Sequence, residues 1–150
     1  MKLKYIFKGK LKPKNAVCAI IVYKNKILIQ KRDLKKNIFF PGHYGLFGGA
    51  IEKNESKIKA LQRELKEEIG LKFNKKDLSF LTSIVLDFKS IGYNKCTRTV
   101  YLIKLNQNQV INLKLGEGKK MVWESGKKIY FKNNLIPYDA FAIWLYLFNK

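Results

Sequence analysis

Two adjoining segments in the first half of the chain constrain its fold most strongly. Residues 41–49 contain one proline and four glycines, and such a stretch predicts a shaped loop or a backbone that approaches another group closely. Residues 55–69 follow with apolar side chains at helical spacing, which form one narrow stripe: Ile58, Leu61, Leu65 and Ile69. Gly70 then ends the predicted helix as a C-cap. The sequence therefore predicts a glycine-rich loop followed along the chain by an amphipathic helix.

Short apolar, β-branched runs surround these two segments. Residues 16–23 and 26–30 repeat one pattern across a Lys-Asn pair, which predicts a hairpin with Asn25 in the left-handed conformation of a tight turn. Similar runs later in the chain predict further strands over residues 78–88, 96–105, 110–115 and 121–124. A final helix is predicted to begin at Pro137 and continue over residues 138–148.

Strands outnumber helices in this pattern, and helices interrupt them, so the sequence predicts a mixed α/β layer fold. At 150 residues, the chain is expected to form one domain over residues 1–150. Residues 1–14 are Lys-rich around a short apolar patch and are predicted to form an edge strand or a loose arm. Trp123 and Trp144 are expected in the core.

Acidic residues are concentrated on the predicted helix in a chain that is basic elsewhere. Five of the eleven acids lie in a 17-residue window: Glu52, Glu55, Glu64, Glu67 and Glu68. Helical spacing brings the carboxylates of Glu64, Glu67 and Glu68 close together, and like charges at this spacing repel. Either neighbouring Lys and Arg side chains pair with them on a solvated face, or they bind a divalent cation such as Mg²⁺, which prefers carboxylate and phosphate oxygens.

The spacing of the whole segment is more specific than its composition. Gly49 is followed after five residues by Glu55, and after seven more by the run Arg63-Glu64-Leu65-Lys66-Glu67-Glu68-Ile69-Gly70-Leu71. This pattern resembles a complete Nudix box, the signature of the Nudix hydrolase superfamily. The resemblance implies an α/β/α sandwich with a mixed β-sheet over most of the chain.

The resemblance also implies a catalytic metal site that holds Mg²⁺, with Mn²⁺ as a substitute. Its ligands would be the carboxylates of Glu64, Glu67 and Glu68, together with the backbone carbonyl of Gly49. Arg63 would orient the box by pairing with carboxylates. An arginine one turn before Glu67 agrees with this role, because it lowers the cost of clustering negative charge.

Two further positions bear on the expected site. Many Nudix proteins have proline before the two glycines, whereas here Phe47 stands there, and phenylalanine restricts the backbone less. Many also supply an extra catalytic acid from a loop outside the box. Glu117 is the candidate, since Gly116 and Gly118 let the loop turn sharply toward the helix. The alternative for Glu117 is an ordinary turn acid.

The net charge of +20 comes from 31 basic and 11 acidic residues. Such a charge favours a polyanionic partner, but only Arg32, Arg63 and Arg98 are arginines, the residue that nucleic-acid readers use most. The lysines are better explained by an AT-rich genome. We therefore expect a small nucleotide-type substrate, with nucleic acid as the less favoured partner.

Cysteine content and hydropathy point to a cytoplasmic protein. Cys18 and Cys96 are the two cysteines, which excludes a disulfide scaffold, suits a reducing compartment and predicts buried free thiols. The longest apolar run covers residues 140–148, too short to span a bilayer. The sequence therefore predicts no membrane partner.

A few other side chains are candidates for contact with substrate. His43 is the only histidine, which excludes a histidine-rich zinc site or triad, and it either touches substrate or has no role. The aromatic side chains of Phe40, Tyr44 and Phe47 either stack on a base or pack in the core. Arg98 is a candidate for a phosphate contact.

These features together lead to one expected function and two alternatives. The resemblance implies a Mg²⁺-dependent pyrophosphohydrolase that cleaves the diphosphate linkage of a nucleoside diphosphate derivative or a nucleoside triphosphate. One alternative is an RNA 5′-end pyrophosphohydrolase, which the positive charge would favour. The other is a non-catalytic nucleotide-binding Nudix module.

Overall fold

The computed structural model describes residues 12–148. Its strands are β1 (Ala16–Tyr23), β2 (Lys26–Lys31), β3 (Tyr44–Gly45), β4 (Phe47–Ala50), β5 (Leu78–Leu86), β6 (Cys96–Lys104) and β7 (Lys120–Ser125). Its α-helices are α1 (Lys57–Ile69), α2 (Gln107–Ile111), α3 (Gly126–Tyr130) and α4 (Pro137–Phe148). Most of the predicted N-terminal arm lies outside the described residues. None of the helices in the described part of the chain is long and apolar enough to cross a membrane.

The strands form one mixed sheet centred on β1. Residues 16–22 of β1 pair in parallel with β6, which in turn pairs antiparallel with the outer strand β5. The other edge of β1 is shared, because residues 16–19 pair with β4 and residues 21–23 pair with β2, both antiparallel. Strand β2 also pairs with β3 and β7. Strand β4, which carries Gly48 and Gly49, therefore pairs with the part of β1 that does not pair with β2.

Alternation along β1 separates two hydrophobic cores, because successive strand residues point to opposite faces. Val17, Ala19 and Ile21 pack with α1 on one face. Cys18 and Ile20 pack with α3 and α4 on the other. Helices therefore cover both faces of the sheet, and the predicted α/β/α sandwich with a mixed sheet is confirmed.

Local capping explains where α1 begins and ends. Ser56 is the N-cap, and its hydroxyl accepts a hydrogen bond from the Lys59 N–H, so the helix starts two residues later than predicted. Gly70 ends the helix in the left-handed conformation, at φ 67°. Leu61 and Leu65 of the predicted apolar stripe are fully buried.

Other predicted strands and turns agree with the structure in part. The hairpin between β1 and β2 is confirmed, but Lys24 rather than Asn25 has the positive φ, at 52°. Residues 110–115 were expected as a strand, and this prediction is wrong. The chain there forms α2 and a loop, because Asn106 and Gln109 make a reciprocal capping box that starts a helix.

The predicted core residues also differ in one case. Trp123 is half-buried against the α1-side core, and Cys18 and Cys96 are buried free thiols, as expected. Trp144 was expected in the core but is 40% exposed. It lies on the outer face of α4, where its ring stacks on that of Phe141 with the centroids 6.1 Å apart.

Candidate functional site

The glycine pair brings the sheet and α1 into close contact. Gly48 has φ +132°, and a Cβ there would collide with the backbone carbonyl oxygen of Val17 on β1. Only glycine fits this conformation and this approach. The Gly48 N–H then points at α1 and donates a 2.7 Å hydrogen bond to Glu68 Oε2.

Gly49 leaves room for a second carboxylate. A Cβ on Gly49 would lie 2.5 Å from both carboxylate oxygens of Glu64. The Glu64 side chain therefore occupies the space that any larger residue at position 49 would fill. The two glycines of the box place two helix carboxylates, Glu64 and Glu68, against one short stretch of backbone.

Arg63 is the cation that compensates these acids. Its Nε and Nη2 donate to the two carboxylate oxygens of Glu55 at 2.9 and 3.0 Å, and Nη1 donates to Glu64 Oε1 at 2.7 Å. Nη2 also donates to the Ala50 carbonyl at 3.1 Å, and Nη1 lies 3.6 Å from Glu67 Oε2. The hydrogen bonds from Arg63 lower the pKa of Glu55. Arg63 thus joins the loop to three acids of the box.

The Glu64 carboxylate remains short of positive charge despite this contact. Burial is the main cause that raises its pKa above the usual value, and the hydrogen bond from Arg63 opposes the rise. The negative charges of Glu67 and Glu117 raise the pKa further. Glu67 itself faces solvent, with its side chain 55% exposed.

Glu68 is the most buried acid of the box, with 6% of its surface exposed. Its Oε1 accepts a 3.1 Å hydrogen bond from the Gln30 amide, and its Oε2 accepts the one from Gly48. Burial raises the pKa of Glu68 to about 7, and the charge of Glu64 adds to the rise. Gly48, Gln30 and the charge of Arg32 oppose it. Two hydrogen bonds, from Gln30 and Gly48, therefore hold the buried carboxylate in place.

The loop that carries Glu117 lies against the C-terminal end of α1. The Gly116 N–H donates a 2.7 Å hydrogen bond to the Glu68 carbonyl, and a Cβ on Gly116 would collide with the Glu67 carbonyl oxygen. Glu117 is exposed, and its negative charge acts on Glu64. The loop thus brings a fourth acid to the side of the box helix.

The donor chemistry at this site suits a divalent cation, since carboxylate and carbonyl oxygens are the ligands that Mg²⁺ prefers. Among residues 12–148, however, no three acidic, histidine or cysteine side chains converge on a common point. Glu64 is directed to Arg63, and Glu68 is directed to Gly48 and Gln30. The residues supply the oxygen ligands that a hard cation prefers, and they lie near one another. The carboxylates of Glu64 and Glu68 are hydrogen-bonded to protein groups.

Gln30 is a site residue that the sequence analysis missed. It is 3% exposed, and its Nε2 donates to both Glu68 Oε1 and the Leu46 carbonyl, at 3.1 and 3.2 Å. A signal was present in the strand pattern. Alternation along β2 places Gln30 on the same face as Leu28, toward α1, and a buried amide on a core face needs polar partners.

The remaining candidates lie elsewhere or have other partners. Phe47 is fully buried in the α1-side core, so core packing, rather than stacking on a base, holds for this residue. Arg98 was a candidate for a phosphate contact, but its side chain is only 12% exposed and its Nη2 lies 2.8 Å from Asp139 Oδ1. His43 Nδ1 lies 3.0 Å from the Pro41 carbonyl oxygen, and its ring packs on Phe40.

Tyr44 is half-buried, and two lysines flank its ring. Lys31 Nζ and Lys132 Nζ lie 5.5 and 4.6 Å from the ring centroid. Such contacts are typical of cation–π pairs at a partly solvated surface. The ring is therefore engaged by cations on β2 and on the segment before α4.

Comparison with known proteins agrees with this geometry. The chain is 42% identical over 66 residues to an 8-oxo-dGTP diphosphatase from Buchnera aphidicola subsp. Schizaphis graminum, a match covering 41% of this chain and 46% of that protein. It is 48% identical over 61 residues to an ADP-ribose pyrophosphatase from Methanocaldococcus jannaschii, covering 41% of this chain and 34% of that protein. The chain thus spans less than half the length of these curated relatives.

A solved structure extends the likeness to the whole fold. The crystal structure of a MutT protein from Methanosarcina mazei Go1 superimposes with a TM-score of 0.72 at 21% identity, covering 95% of this chain and 99% of that one. The NUDIX domain profile matches residues 12–134, which include every element from β1 to α3. By this match, the chain belongs to the NUDIX domain family.

Proposed function

We propose that this protein is a Mg²⁺-dependent hydrolase that cleaves a phosphoanhydride bond in a nucleotide, either a nucleoside diphosphate derivative or a nucleoside triphosphate. The observation that carries the proposal is the placement of Glu64 and Glu68 against the Gly48-Gly49 backbone, with Glu67 on the solvent side. Helix packing alone gives no reason to collect acids here, since clustered like charges destabilise a helix.

The residues that would hold the metal are Glu64, Glu67 and Glu68, with the Gly49 carbonyl. A bound Mg²⁺, or Mn²⁺ in its place, would neutralise the charge that develops on the phosphate oxygens and make the phosphorus more electrophilic toward the attacking water. Arg63 would keep Glu64 in position, because the bidentate contact of Arg63 with Glu55 holds its guanidinium beside the Glu64 carboxylate.

The acids of the site differ in solvent exposure, and this difference suggests different catalytic roles. Glu68 is buried and fixed by two donors, so its role would be to anchor the metal. Glu67 and Glu117 are the exposed acids of the group, and an exposed carboxylate can reach the attacking water and accept its proton. We therefore propose Glu67 or Glu117 as the general base. Glu64 and Glu68 are metal ligands in either case, and Glu67 is the third ligand if Glu117 is the base.

The substrate class rests on the relatives as well as on the site. The curated relatives are named for 8-oxo-dGTP and for ADP-ribose, which share a nucleoside joined to a diphosphate linkage. We propose the same linkage as the bond that this protein cleaves. The buried free thiols of Cys18 and Cys96 are compatible with work in a reducing cytoplasm.

A second candidate is hydrolysis at a triphosphorylated or capped RNA end, favoured by the net charge of +20. The two candidates differ in the salt dependence of substrate affinity. Affinity falls more steeply with salt as the protein neutralises more phosphates, so RNA binding should be the more salt-sensitive. A non-catalytic module is less favoured, since it has no need for clustered carboxylates.

The test is product analysis on a panel of nucleoside triphosphates, nucleoside diphosphate derivatives and a 5′-triphosphorylated RNA, each with and without Mg²⁺. We expect Mg²⁺-dependent release of phosphate, pyrophosphate or a nucleoside monophosphate from at least one small nucleotide. Exclusive turnover of the RNA, with a steep loss at higher salt, would favour the second candidate. Absence of turnover across the panel with Mg²⁺ and with Mn²⁺ would contradict both.

A further inference from the structure

A buried ion pair on the opposite face of the sheet reaches the box through one residue of the glycine loop. Asp139, in the first turn of α4, is fully buried. Its Oδ1 accepts a 2.9 Å hydrogen bond from Arg98 Nε and lies 2.8 Å from Arg98 Nη2, and its Oδ2 accepts from the Leu46 backbone N–H at 2.9 Å. Each carboxylate oxygen therefore has a specific partner, one of them on the chain that leads to the box.

Leu46 is the junction between β3 and β4, and no strand register includes it. The registers on either side end at Gly45, opposite Gln30, and at Phe47, opposite Ala19. Side chains satisfy both of its backbone groups instead: Asp139 accepts from its N–H, and Gln30 Nε2 donates to its carbonyl. The position of this peptide thus depends on Asp139 and Gln30.

The same contacts continue into the candidate metal site. Gln30 Nε2 also donates to Glu68 Oε1 at 3.1 Å, and Gly48, two residues after Leu46, donates to Glu68 Oε2 at 2.7 Å. Both donors that orient the Glu68 carboxylate are therefore attached to the segment that Asp139 holds. Gly45 lies close enough that a Cβ on it would be 2.8 Å from Asp139 Oδ2.

We propose that Arg98 and Asp139 are a positioning pair for the site: they hold the Leu46 peptide so that Gly48 and Gln30 aim their N–H groups at Glu68. Arg98 orients the Asp139 carboxylate through its contacts with Oδ1, and its own guanidinium lies 4.5 Å above the Tyr138 ring. Neither residue touches substrate in this role. The inference rests on the proposed function, because it assigns the pair to the orientation of a proposed metal ligand.

The experiment compares double variants, because removing one member leaves a buried charge without its partner and can unfold the protein. Arg98→Met with Asp139→Leu removes both charges and the acceptor for Leu46. Arg98→Met with Asp139→Asn removes both charges but keeps an oxygen acceptor at the same place. Ile143→Ala is the control, since Ile143 is fully buried in the same helix and its apolar side chain, unlike that of Asp139, offers the loop backbone no hydrogen-bond acceptor.

Two measurements on the substrate-free protein distinguish positioning from stability. The first is Mn²⁺ affinity, followed by the signal of free Mn²⁺ in electron paramagnetic resonance. The second is hydrogen exchange of the Gly48 amide. We expect the Met/Leu variant to weaken Mn²⁺ binding by at least ~10-fold, a size typical of residues that orient metal ligands, and to speed Gly48 exchange beyond the Ile143→Ala control. The Met/Asn variant should recover most of both properties.

Equal Mn²⁺ affinity and equal Gly48 exchange in the Met/Leu variant and the Ile143→Ala control would overturn the proposal, leaving the pair a structural contact only. The proposed function fails in a different way, namely if the unaltered protein neither binds Mn²⁺ nor hydrolyses any nucleotide. In that case Gly48 exchange still reports whether Asp139 holds the loop. The two failures are therefore distinguishable.

Discussion

The Glu64 carboxylate lies where a side chain at position 49 would be, because a Cβ on Gly49 would be 2.5 Å from both carboxylate oxygens of Glu64. A real methyl group would force the Glu64 side chain to move. The loop and the helix are thereby matched to each other at the level of single atoms. This match gives the first prediction.

Gly49→Ala is expected to displace Glu64 and lower turnover by at least ~10²-fold, as for loss of a metal or general-base contact. The measurement is kcat at saturating Mg²⁺. Gly92→Ala is the control, because a Cβ there meets nothing within 4 Å although its φ of +85° makes the change strained. Normal turnover in Gly49→Ala would show that Glu64 is not held at the reacting centre.

Glu67→Gln and Glu68→Gln test the box acids by removing charge while keeping size. Each is expected to fold and to lose at least ~10²-fold in kcat. Glu52→Gln is the control, since Glu52 is exposed and lies before the helix. If both box variants retain near-normal turnover with saturating Mg²⁺, the proposed site is wrong.

Metal binding is expected to stabilise the protein. Millimolar Mg²⁺ should raise the Tm by mass action, because the ion binds the folded state alone, and it should relieve the repulsion among Glu64, Glu67 and Glu117. Thermal unfolding with and without Mg²⁺ measures the shift, and Glu64→Gln should reduce it. An identical Tm in both conditions for the unaltered protein would contradict the clustered-ligand account.

Glu117→Ala tests the acid outside the box. We expect kcat to fall well beyond any change in KM, because a charge that acts mainly in the transition state affects turnover. The free energy of unfolding should change by about 0.5 kcal/mol or less, as for most exposed positions. Steady-state kinetics and thermal unfolding check the two statements. Unchanged kcat would make Glu117 a turn acid that only closes the loop over α1.

The box and its helix could be predicted from the sequence because their determinants are local. Apolar spacing predicted the buried stripe of α1, Gly70 its end, and helical spacing the grouping of Glu64, Glu67 and Glu68. The nearness of these acids to Gly49 was implied by the resemblance to the Nudix box. The strand assignment over residues 110–115 failed because the apolar run was weighed without the capping signal of Asn106 and Gln109, which starts a helix there.

Long-range contacts account for most of what the sequence could not predict. The pairing of Asp139 with Leu46 joins residues 93 positions apart, and no periodicity links α4 to the glycine loop. Arg98 was a candidate for a phosphate contact because an arginine on a strand has no visible partner in the sequence. Its carboxylate partner becomes apparent only when α4 packs on β6.

A crystal structure with Mn²⁺ and a non-hydrolysable nucleotide analogue tests the central claim most directly, because anomalous scattering locates the ion. The account predicts Mn²⁺ in direct contact with carboxylate oxygens of Glu64, Glu67 or Glu68, with the diphosphate of the analogue on the same ion. A Glu117 carboxylate more than roughly 8 Å from the ion would be too far for a direct or water-bridged contact at hydrogen-bond distances, and Glu117 would then be a turn acid. Ordered analogue bound elsewhere, with no Mn²⁺ at the box carboxylates, would contradict the account.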